Sequence, residues 1–154
     1  MKIYSSITDR LNSQHLVIPE LIKDLDDDLI NKRPEENKWS IKDNIAHIAF
    51  YHLKFLNRIE LILEGKEKFF KRYNPDEDPD FIEWRKMSKE ELLSILEVNR
   101  SEIIDYIREL KVTDIVKTGT HQKFGKMNIV QWIEFFLLHE AHHIYTIFKL
   151  SRSS

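Results

Sequence analysis

The sequence contains no cysteine, which excludes disulfides, thiolate nucleophiles and cysteine zinc sites. Any bound metal would therefore need histidine and carboxylate ligands. Only three glycines and four prolines occur in 154 residues, so there is little material for tight hairpins. No uncharged run approaches the ~20 residues that span a bilayer, and the N-terminal segment lacks the apolar stretch of a signal peptide. We expect a soluble cytoplasmic protein with no membrane partner.

The composition fits one helical domain. The chain is 42% hydrophobic and 32% charged, which is enough to bury one substantial core and too little for two, so residues 1–154 are expected to form a single domain. Leu, Ile, Lys and Glu dominate, and this predicts an all-α fold. The net charge of −2 gives no basic face for nucleic acid, so no nucleic-acid partner is expected.

Apolar periodicity and helix end signals predict four helices. They run from about 6 to 25, from 40 to 65, from 88 to 110, and from 128 almost to the C-terminus. Ser40 with Asp43, and Ser88 with Glu91, match capping boxes at the second and third helix starts. Pro19 is expected to kink or restart the first helix.

The connection between the second and third helices, residues 66–87, is too long for a simple antiparallel turn. It is typical of a crossover, which would let these two helices run parallel. The sequence therefore predicts an up-down-down-up four-helix bundle with a long crossover. This link either folds over a site as a lid or covers the bundle end. Residues 111–127 are expected to form a loop.

The last predicted helix places two histidines on its apolar seam. His139 and His143 are four residues apart and share a face with Trp132, Phe136 and Ile147. Burying a neutral imidazole without a hydrogen-bond partner costs about 1–3 kcal/mol. Since histidines at this spacing converge on one ion, the pattern predicts a metal site. The alternative is a pair of core histidines hydrogen-bonded to neighbouring helices.

A third ligand must come from another helix, and the second helix offers His47 and His52. Periodicity does not choose between them. If the second and last helices are antiparallel, His47 and His143 both lie about 10 Å from the same bundle end, at ~1.5 Å rise per residue. This matching height favours His47, and His52 and His15 are interpreted as structural.

Three segments carry a resemblance to a known family. They are the helix start Trp39-Ser40 followed by His47, the segment His121–Lys126, and the segment His139–His143. Together, in this order and spacing, they resemble the DinB/YfiT-like superfamily of metal-binding four-helix bundles. The resemblance covers nearly the whole chain. It implies one divalent ion held by His47, His139 and His143.

The resemblance also implies an activity. Members of that family are described as metal-dependent hydrolases or as thiol S-transferases that use low-molecular-weight thiols, and several are homodimers. The sequence does not choose between these activities. The substrate is expected to be a small molecule, with a low-molecular-weight thiol as a candidate cosubstrate.

The predicted site suits catalysis, because three imidazole ligands leave coordination positions open for water or a thiol. Zinc or nickel is expected, with iron as a further candidate. Glu140 and Tyr51 are candidate catalytic residues, and Asn44 and Trp39 are candidates for supporting contacts. Glu140 has an alternative interpretation as a solvated side chain.

Two other functions compete with this one. Residues 139–143 match H-E-x-x-H, the zinc-protease pattern in which the Glu is the general base. A protease needs a further ligand, and no His, Asp or Glu follows His143. The other alternative is a non-enzymatic, stress-related interaction module with incidental or no metal. His142 is expected at the surface or an interface, and His121 either reaches the metal or caps its turn.

The second helix also carries Ala46, Phe50 and Leu53 away from its main apolar stripe. On a monomer these side chains are expected to form an exposed apolar patch. Such a patch often marks a subunit contact, so the sequence predicts a homodimer.

Overall fold

The computed structural model describes residues 3–66 and 68–152. Its helices are α1 (Ser5–Ser13), α2 (Val17–Ile22), α3 (Asp27–Asn31), α4 (Ile41–Leu63), α5 (Pro79–Trp84), α6 (Lys89–Arg108), α7 (Val112–Ile115) and α8 (Ile129–Ser151). Its strands are β1 (Phe69–Phe70), β2 (Thr118–His121) and β3 (Gly125–Asn128), and 3₁₀ turns occupy Gln14–Leu16 and Pro75–Glu77. Within the described ranges, every helix is too short or too polar to span a bilayer.

The predicted helix start signals are confirmed. At α4, the Ser40 hydroxyl accepts a hydrogen bond from the Asp43 N–H, and the Asp43 carboxylate accepts one from the Ser40 N–H, each at 3.0 Å. Ser88 and Glu91 form the same reciprocal pair at α6. These bonds satisfy backbone donors that the first helical turn leaves free. At the other end of α4, Gly65 has a φ of 71°, the left-handed conformation that ends a helix.

The first predicted helix is broken rather than continuous. Helices α1 and α2 are separated by the 3₁₀ turn at Gln14–Leu16. In an unbroken helix, the residue at position 19 would donate its N–H to the His15 carbonyl, but Pro19 has no N–H and its ring would clash there. The chain therefore restarts as α2, with Pro19 in the first turn, where proline is tolerated.

The predicted four-helix bundle is present. Helix α4 packs along both α6 and α8, and the α1–α2 pair packs against α8. Phe55, Trp132 and Phe136 are buried in one part of the core, and Ile45 and Ile147 in another. The up-down-down-up order of the helices stays a prediction.

The expectation of an all-α fold was wrong in detail, because a small sheet accompanies the bundle. Strand β1 pairs parallel to β2, and β2 pairs antiparallel to β3, so much of the predicted 111–127 loop is a hairpin. Gly125 follows the hairpin turn with a φ of 76°, a conformation that favours glycine. Strands of at most four residues carry too little alternation to be recognised in the sequence.

The predicted apolar patch on α4 was also wrong. Ala46 is 0% exposed and Phe50 is 5% exposed, whereas Leu53 is 39% exposed. The link folds over this face, so that the Phe50 ring packs against Phe81 and Trp84 at 5.7 and 5.1 Å between centroids. Ala46 and Phe50 are therefore covered within the chain, and Leu53, which stays exposed, does not by itself form a patch that supports a dimer. The homodimer itself stays a prediction.

Candidate metal centre

Three histidines from two helices meet at one point. His47 lies on α4, and His139 and His143 lie one turn apart on α8. One ring nitrogen from each lies within 4.8 Å of the other two. The Nε2 atoms of His47 and His139 are 3.1 Å apart. The structure thus brings together the three histidines that the sequence predicts, and their role as ligands stays a prediction.

Burial and the neighbouring imidazoles keep the three rings neutral. Burial, followed by the charges of His143 and His142, lowers the pKa of His139 to about 3. Burial and His142 lower the pKa of His143 to about 4. Burial and the other two rings hold the pKa of His47 well below its ordinary value. At neutral pH each ring keeps an unprotonated nitrogen, the form that binds a metal.

These pKa values predict that acid destabilises the metal-free protein between about pH 6.5 and pH 4. In that window the unfolded chain binds protons at histidines with an ordinary pKa of ~6.5, whereas folded His139 and His143 stay neutral. Since the unfolded state binds more protons in this window, the free energy of unfolding falls as the pH is lowered, by about 1.4 kcal/mol per pH unit for each such histidine. Urea unfolding with a chelator at pH 7, 6, 5 and 4 measures this. Equal stability across the series would contradict it.

Asn44 fixes the orientation of His143. The Nδ1–H of His143 donates to the Asn44 Oδ1 at 2.9 Å, while the Asn44 Nδ2 donates to the Ser40 carbonyl at 2.8 Å. The second bond sets which end of the amide faces the ring. His143 therefore carries its proton on Nδ1 and presents an unprotonated Nε2, as metal-ligating histidines commonly do.

Asn44→Leu is expected to weaken zinc binding by about 10–100-fold, because it removes the acceptor that orients His143. Competition with a chromophoric chelator measures the affinity. Asn57→Leu is a matched control, since Asn57 is exposed on the same helix. Equal zinc affinity in the Asn44 variant and the control would contradict the orienting role.

The residues present fit a divalent ion. The donor set is three neutral imidazoles, which accept zinc, nickel and iron alike. The buried Nδ1 of His47 has no hydrogen-bond partner among the described residues. A site with three protein ligands leaves positions open, whereas a structural zinc site usually has four protein ligands. The donor set therefore suits a catalytic ion better than a structural one.

The histidines lie on the wall of a cavity of about 530 Å³, a size typical of small-molecule sites. Aromatic rings supply much of the wall. Trp39 lies 4.9 Å from the His47 ring, and Tyr73 lies stacked at 6.1 Å from it. The full lining is Trp39, His47, Tyr51, Arg58, Arg72, Tyr73, Pro75, His121, Lys123, Phe124, Phe135, His139, His142 and His143. Part of the 66–87 link thus covers the site.

The candidate catalytic residue Tyr51 faces this cavity. Its ring lies 4.0 Å from the His139 ring, and its hydroxyl accepts a hydrogen bond of 3.1 Å from Arg58. Burial raises the pKa of Tyr51, although Arg58 opposes this effect. The hydroxyl is therefore protonated at neutral pH, and it keeps its own proton to donate.

The other candidate, Glu140, lies in a different environment. It is 1% exposed, so the solvated interpretation was wrong, and it is not among the cavity-lining residues. Its Oε1 accepts a hydrogen bond of 2.9 Å from Gln14, and its Oε2 lies 3.0 Å from the His52 Nε2 and pairs with Arg100. Both oxygens are thus engaged inside the bundle. This contact set assigns Glu140 a structural role and gives no support to its predicted catalytic role.

Burial alone would raise the pKa of Glu140, but the His52 hydrogen bond and the Arg100 charge outweigh it and lower the pKa to about 2. A carboxylate this acidic is a weak proton acceptor at neutral pH. The zinc-protease interpretation, which needs Glu140 as general base, therefore has no support. His52 belongs to this network, in agreement with its structural interpretation.

The two remaining candidate histidines, His121 and His142, lie in different environments. His121 is buried, and its Nδ1 accepts hydrogen bonds from the backbone N–H groups of Lys123 and Phe124 at 3.1 and 3.3 Å. It therefore caps the hairpin turn, as one interpretation of the sequence held, and it also lines the cavity. His142 is exposed at the cavity rim, as predicted for the surface.

The charged cavity residues Arg58, Arg72 and Lys123 were not among the predicted site residues. Arg58 had a usable signal, because it is seven residues after Tyr51 and eleven after His47, which places all three on one face of α4. Arg72 and Lys123 had none. Arg72 follows β1 and Lys123 lies in the turn between β2 and β3, and both reach the cavity because these three strands form one sheet.

The chain is thus a four-helix bundle protein with a cluster of three histidines placed to hold a metal ion. A family model of the DinB superfamily matches residues 14–147. The chain belongs to this superfamily, as its sequence motifs indicated.

The chain is similar in sequence, over most of its length, to several named proteins. "Putative metal-dependent hydrolase OB0782" of Oceanobacillus iheyensis is 24% identical over 139 residues, which cover 88% of this chain and 80% of that protein. YuaE of Bacillus subtilis, an uncharacterized protein, is 29% identical over 140 residues, which cover 80% of this chain and 83% of YuaE.

Solved structures show the same fold. YfiT from Bacillus subtilis, described as having an unusual four-helix bundle topology, superposes with a TM-score of 0.81 at 16% identity, over 96% of this chain and 85% of YfiT. TT2238, described as a four-helix bundle protein, superposes with a TM-score of 0.69 at 17% identity, over 93% of this chain and 96% of TT2238.

Proposed function

We propose that this protein is a metal-dependent hydrolase of a small molecule. The observation that carries the proposal is the set of three neutral imidazole nitrogens within 4.8 Å of one another on a cavity wall. His47, His139 and His143 would hold the ion. A divalent ion bound there would supply Lewis-acid activation of water or of a thiol.

The names of two relatives support hydrolysis. The Oceanobacillus iheyensis protein is named for metal-dependent hydrolysis, and YfiT is described as "a probable metal-dependent hydrolase". Thiol transfer with a low-molecular-weight thiol is the alternative chemistry for the same site. The family resemblance implies it, whereas no contact among the described residues favours it over hydrolysis.

The chain's own residues have separate tasks in this proposal. Asn44 orients His143 through the 2.9 Å hydrogen bond. Trp39 and Tyr73 restrict water around His47 and offer ring faces to a substrate. Tyr51, protonated and held by Arg58, is the proposed proton donor to a developing negative charge or leaving group. Its hydroxyl would act beside His139.

Metal analysis tests the site. Protein purified without an affinity tag is expected to contain about one equivalent of divalent metal by elemental mass spectrometry. The His139→Ala, His143→Ala double variant is expected to contain none. His142→Ala is the matched control, since His142 is exposed on the same helix, and it is expected to keep the metal.

The activity is tested on the same proteins. A panel of small esters and amides, with and without an added thiol, distinguishes hydrolysis from thiol transfer. Metal-dependent turnover without thiol supports the proposal. Turnover that requires the thiol would replace hydrolysis by transfer. A wild-type protein that stays metal-free after incubation with zinc and nickel would overturn the catalytic proposal and favour an interaction module.

A further inference from the structure

The cavity beside the three histidines has an unusual charge balance. Arg58, Arg72 and Lys123 line it, and no Asp or Glu among the described residues does. The whole chain has 26 acidic and 24 basic side chains, so the cavity reverses the overall balance. Cations gathered in one concave site raise the local concentration of anions.

Arg58 is held in place without an acidic partner. Its Nη1 donates to the Tyr51 hydroxyl at 3.1 Å, and its Nη2 donates to the Lys71 carbonyl at 3.2 Å. The guanidinium also lies within 5.9 Å of the centroids of the Phe70 and Trp132 rings. Within the described ranges, no carboxylate forms an ion pair with it. A guanidinium has five N–H donors, so this fixed cation keeps donors for a ligand.

Arg72 and Lys123 are exposed and lie on two segments that the structure joins. The Arg72 backbone N–H donates to the side chain of Gln122, which precedes Lys123 in the hairpin turn, at 3.0 Å. Among the described residues, neither cation has a carboxylate partner. By contrast, two acidic residues of the same link are engaged elsewhere, because Asp76 pairs with Arg85 at 3.4 Å and Asp78 pairs with Lys54 at 3.0 Å.

The rest of the cavity wall is aromatic. Phe124 and Phe135 pack 5.0 Å apart near the hairpin, and Trp39 and Tyr73 flank His47. Such rings bind an apolar or planar group. Tyr51 lies between the cationic part of the wall and the histidines. Its hydroxyl accepts a hydrogen bond from Arg58, and its ring packs on His139.

We propose that the substrate of this site is a small anionic molecule, with an apolar body and a carboxylate or phosphate group that binds Arg58, Arg72 and Lys123. Guanidinium groups recognise such anions through paired hydrogen bonds. The anionic group would fix the molecule so that its reacting atom lies at the histidines. This inference rests on the proposed function for the reaction, but the anion site stands on its own contacts.

Paired probes test the charge preference. Binding of 3-phenylpropionate and of its neutral analogue 3-phenylpropionamide is measured by isothermal titration calorimetry, on protein with its metal content recorded. The carboxylate is expected to bind at least about tenfold more tightly than the amide. The Arg58→Gln, Arg72→Gln, Lys123→Gln triple variant is expected to reduce this ratio to about twofold or less.

The control variant removes the same charge elsewhere. Lys23, Lys32 and Arg152 are exposed and do not line the cavity, so their triple replacement by Gln is expected to keep the preference. Circular dichroism checks that both variants are folded. Equal affinity for the two probes, or a preference that survives in the cavity variant, would overturn the proposal, because the carboxylate would then bind the metal or nothing specific.

The same data separate this proposal from the proposed function. A metal-containing protein without the charge preference would overturn the anion site and leave the metal site intact. A protein that stays metal-free after incubation with zinc and nickel, and whose preference depends on the three cations, would support the anion site and overturn the metal-dependent hydrolase.

Discussion

Arg100→Met is expected to lower the free energy of unfolding by about 3–5 kcal/mol. Arg100 on α6 is 1% exposed and pairs with the equally buried Glu140 on α8. Met keeps most of the volume and removes the charge. The substitution leaves a carboxylate in the core with only His52 and Gln14 as partners, and an uncompensated buried charge is strongly destabilising. Urea unfolding at neutral pH measures the loss.

The network explains why the effect is expected to be large. Glu140 connects α8 to α4 through His52, to α6 through Arg100, and to the 3₁₀ turn between α1 and α2 through Gln14. Arg100 also lies 5.0 Å above the Phe136 ring. The hydrogen bonds and the ion pair of Glu140 therefore fix α8 to α4, α6 and the turn between α1 and α2. They do so directly beside His139, which precedes Glu140.

A double variant provides the control. Arg100→Met with Glu140→Leu removes both charges, and replacing a whole buried pair by apolar groups is often nearly neutral. We expect it to recover most of the stability that the single variant loses, and comparison with the Glu140→Leu single variant then gives the coupling energy between the two residues. A loss below about 1 kcal/mol in Arg100→Met would show that the pair does not hold the bundle together.

Zinc is expected to raise the melting temperature of the wild-type protein by roughly 10 °C at about a thousandfold excess over the dissociation constant. An ion that binds only the folded state stabilises it by ~4 kcal/mol at that excess. The three histidine nitrogens lie together only in the folded chain, since His47 is more than ninety residues from its partners in sequence. Differential scanning fluorimetry, starting from chelator-treated protein, measures the shift.

His47→Leu is expected to lose the zinc-induced shift. It is also expected to melt, without zinc, at the wild-type temperature or above, because it removes a buried imidazole whose Nδ1 has no hydrogen-bond partner among the described residues. His142→Ala should keep the full shift. A wild-type shift that persists in the His47 variant would show that zinc binds elsewhere.

The sequence correctly predicted those structural features that are formed by residues close together in the chain. The capping boxes at Ser40 and Ser88 and the helix end at Gly65 are confirmed because each involves residues only a few positions apart. The same holds for the seam that carries His139 and His143, since their spacing puts both on one face of any regular helix. His47 also lies at the height of His143, as predicted from the constant helical rise, with 4.5 Å between their ring centroids.

The tertiary structure decided whatever depends on distant contacts. Glu140 follows a predicted ligand, yet its carboxylate lies in the core because Arg100 and Gln14 come from other elements. Phe50 is covered rather than exposed because the link packs α5 over it. Arg72 and Lys123 line the same cavity as His47 only because of a three-stranded sheet, whose strands are too short to leave a sequence pattern. The amino-acid sequence alone predicted the long helices α4, α6 and α8 and the set of three histidines that the fold brings together. Only the folded chain decided which charges surround that set, because packing of distant segments determines burial and electrostatic partners.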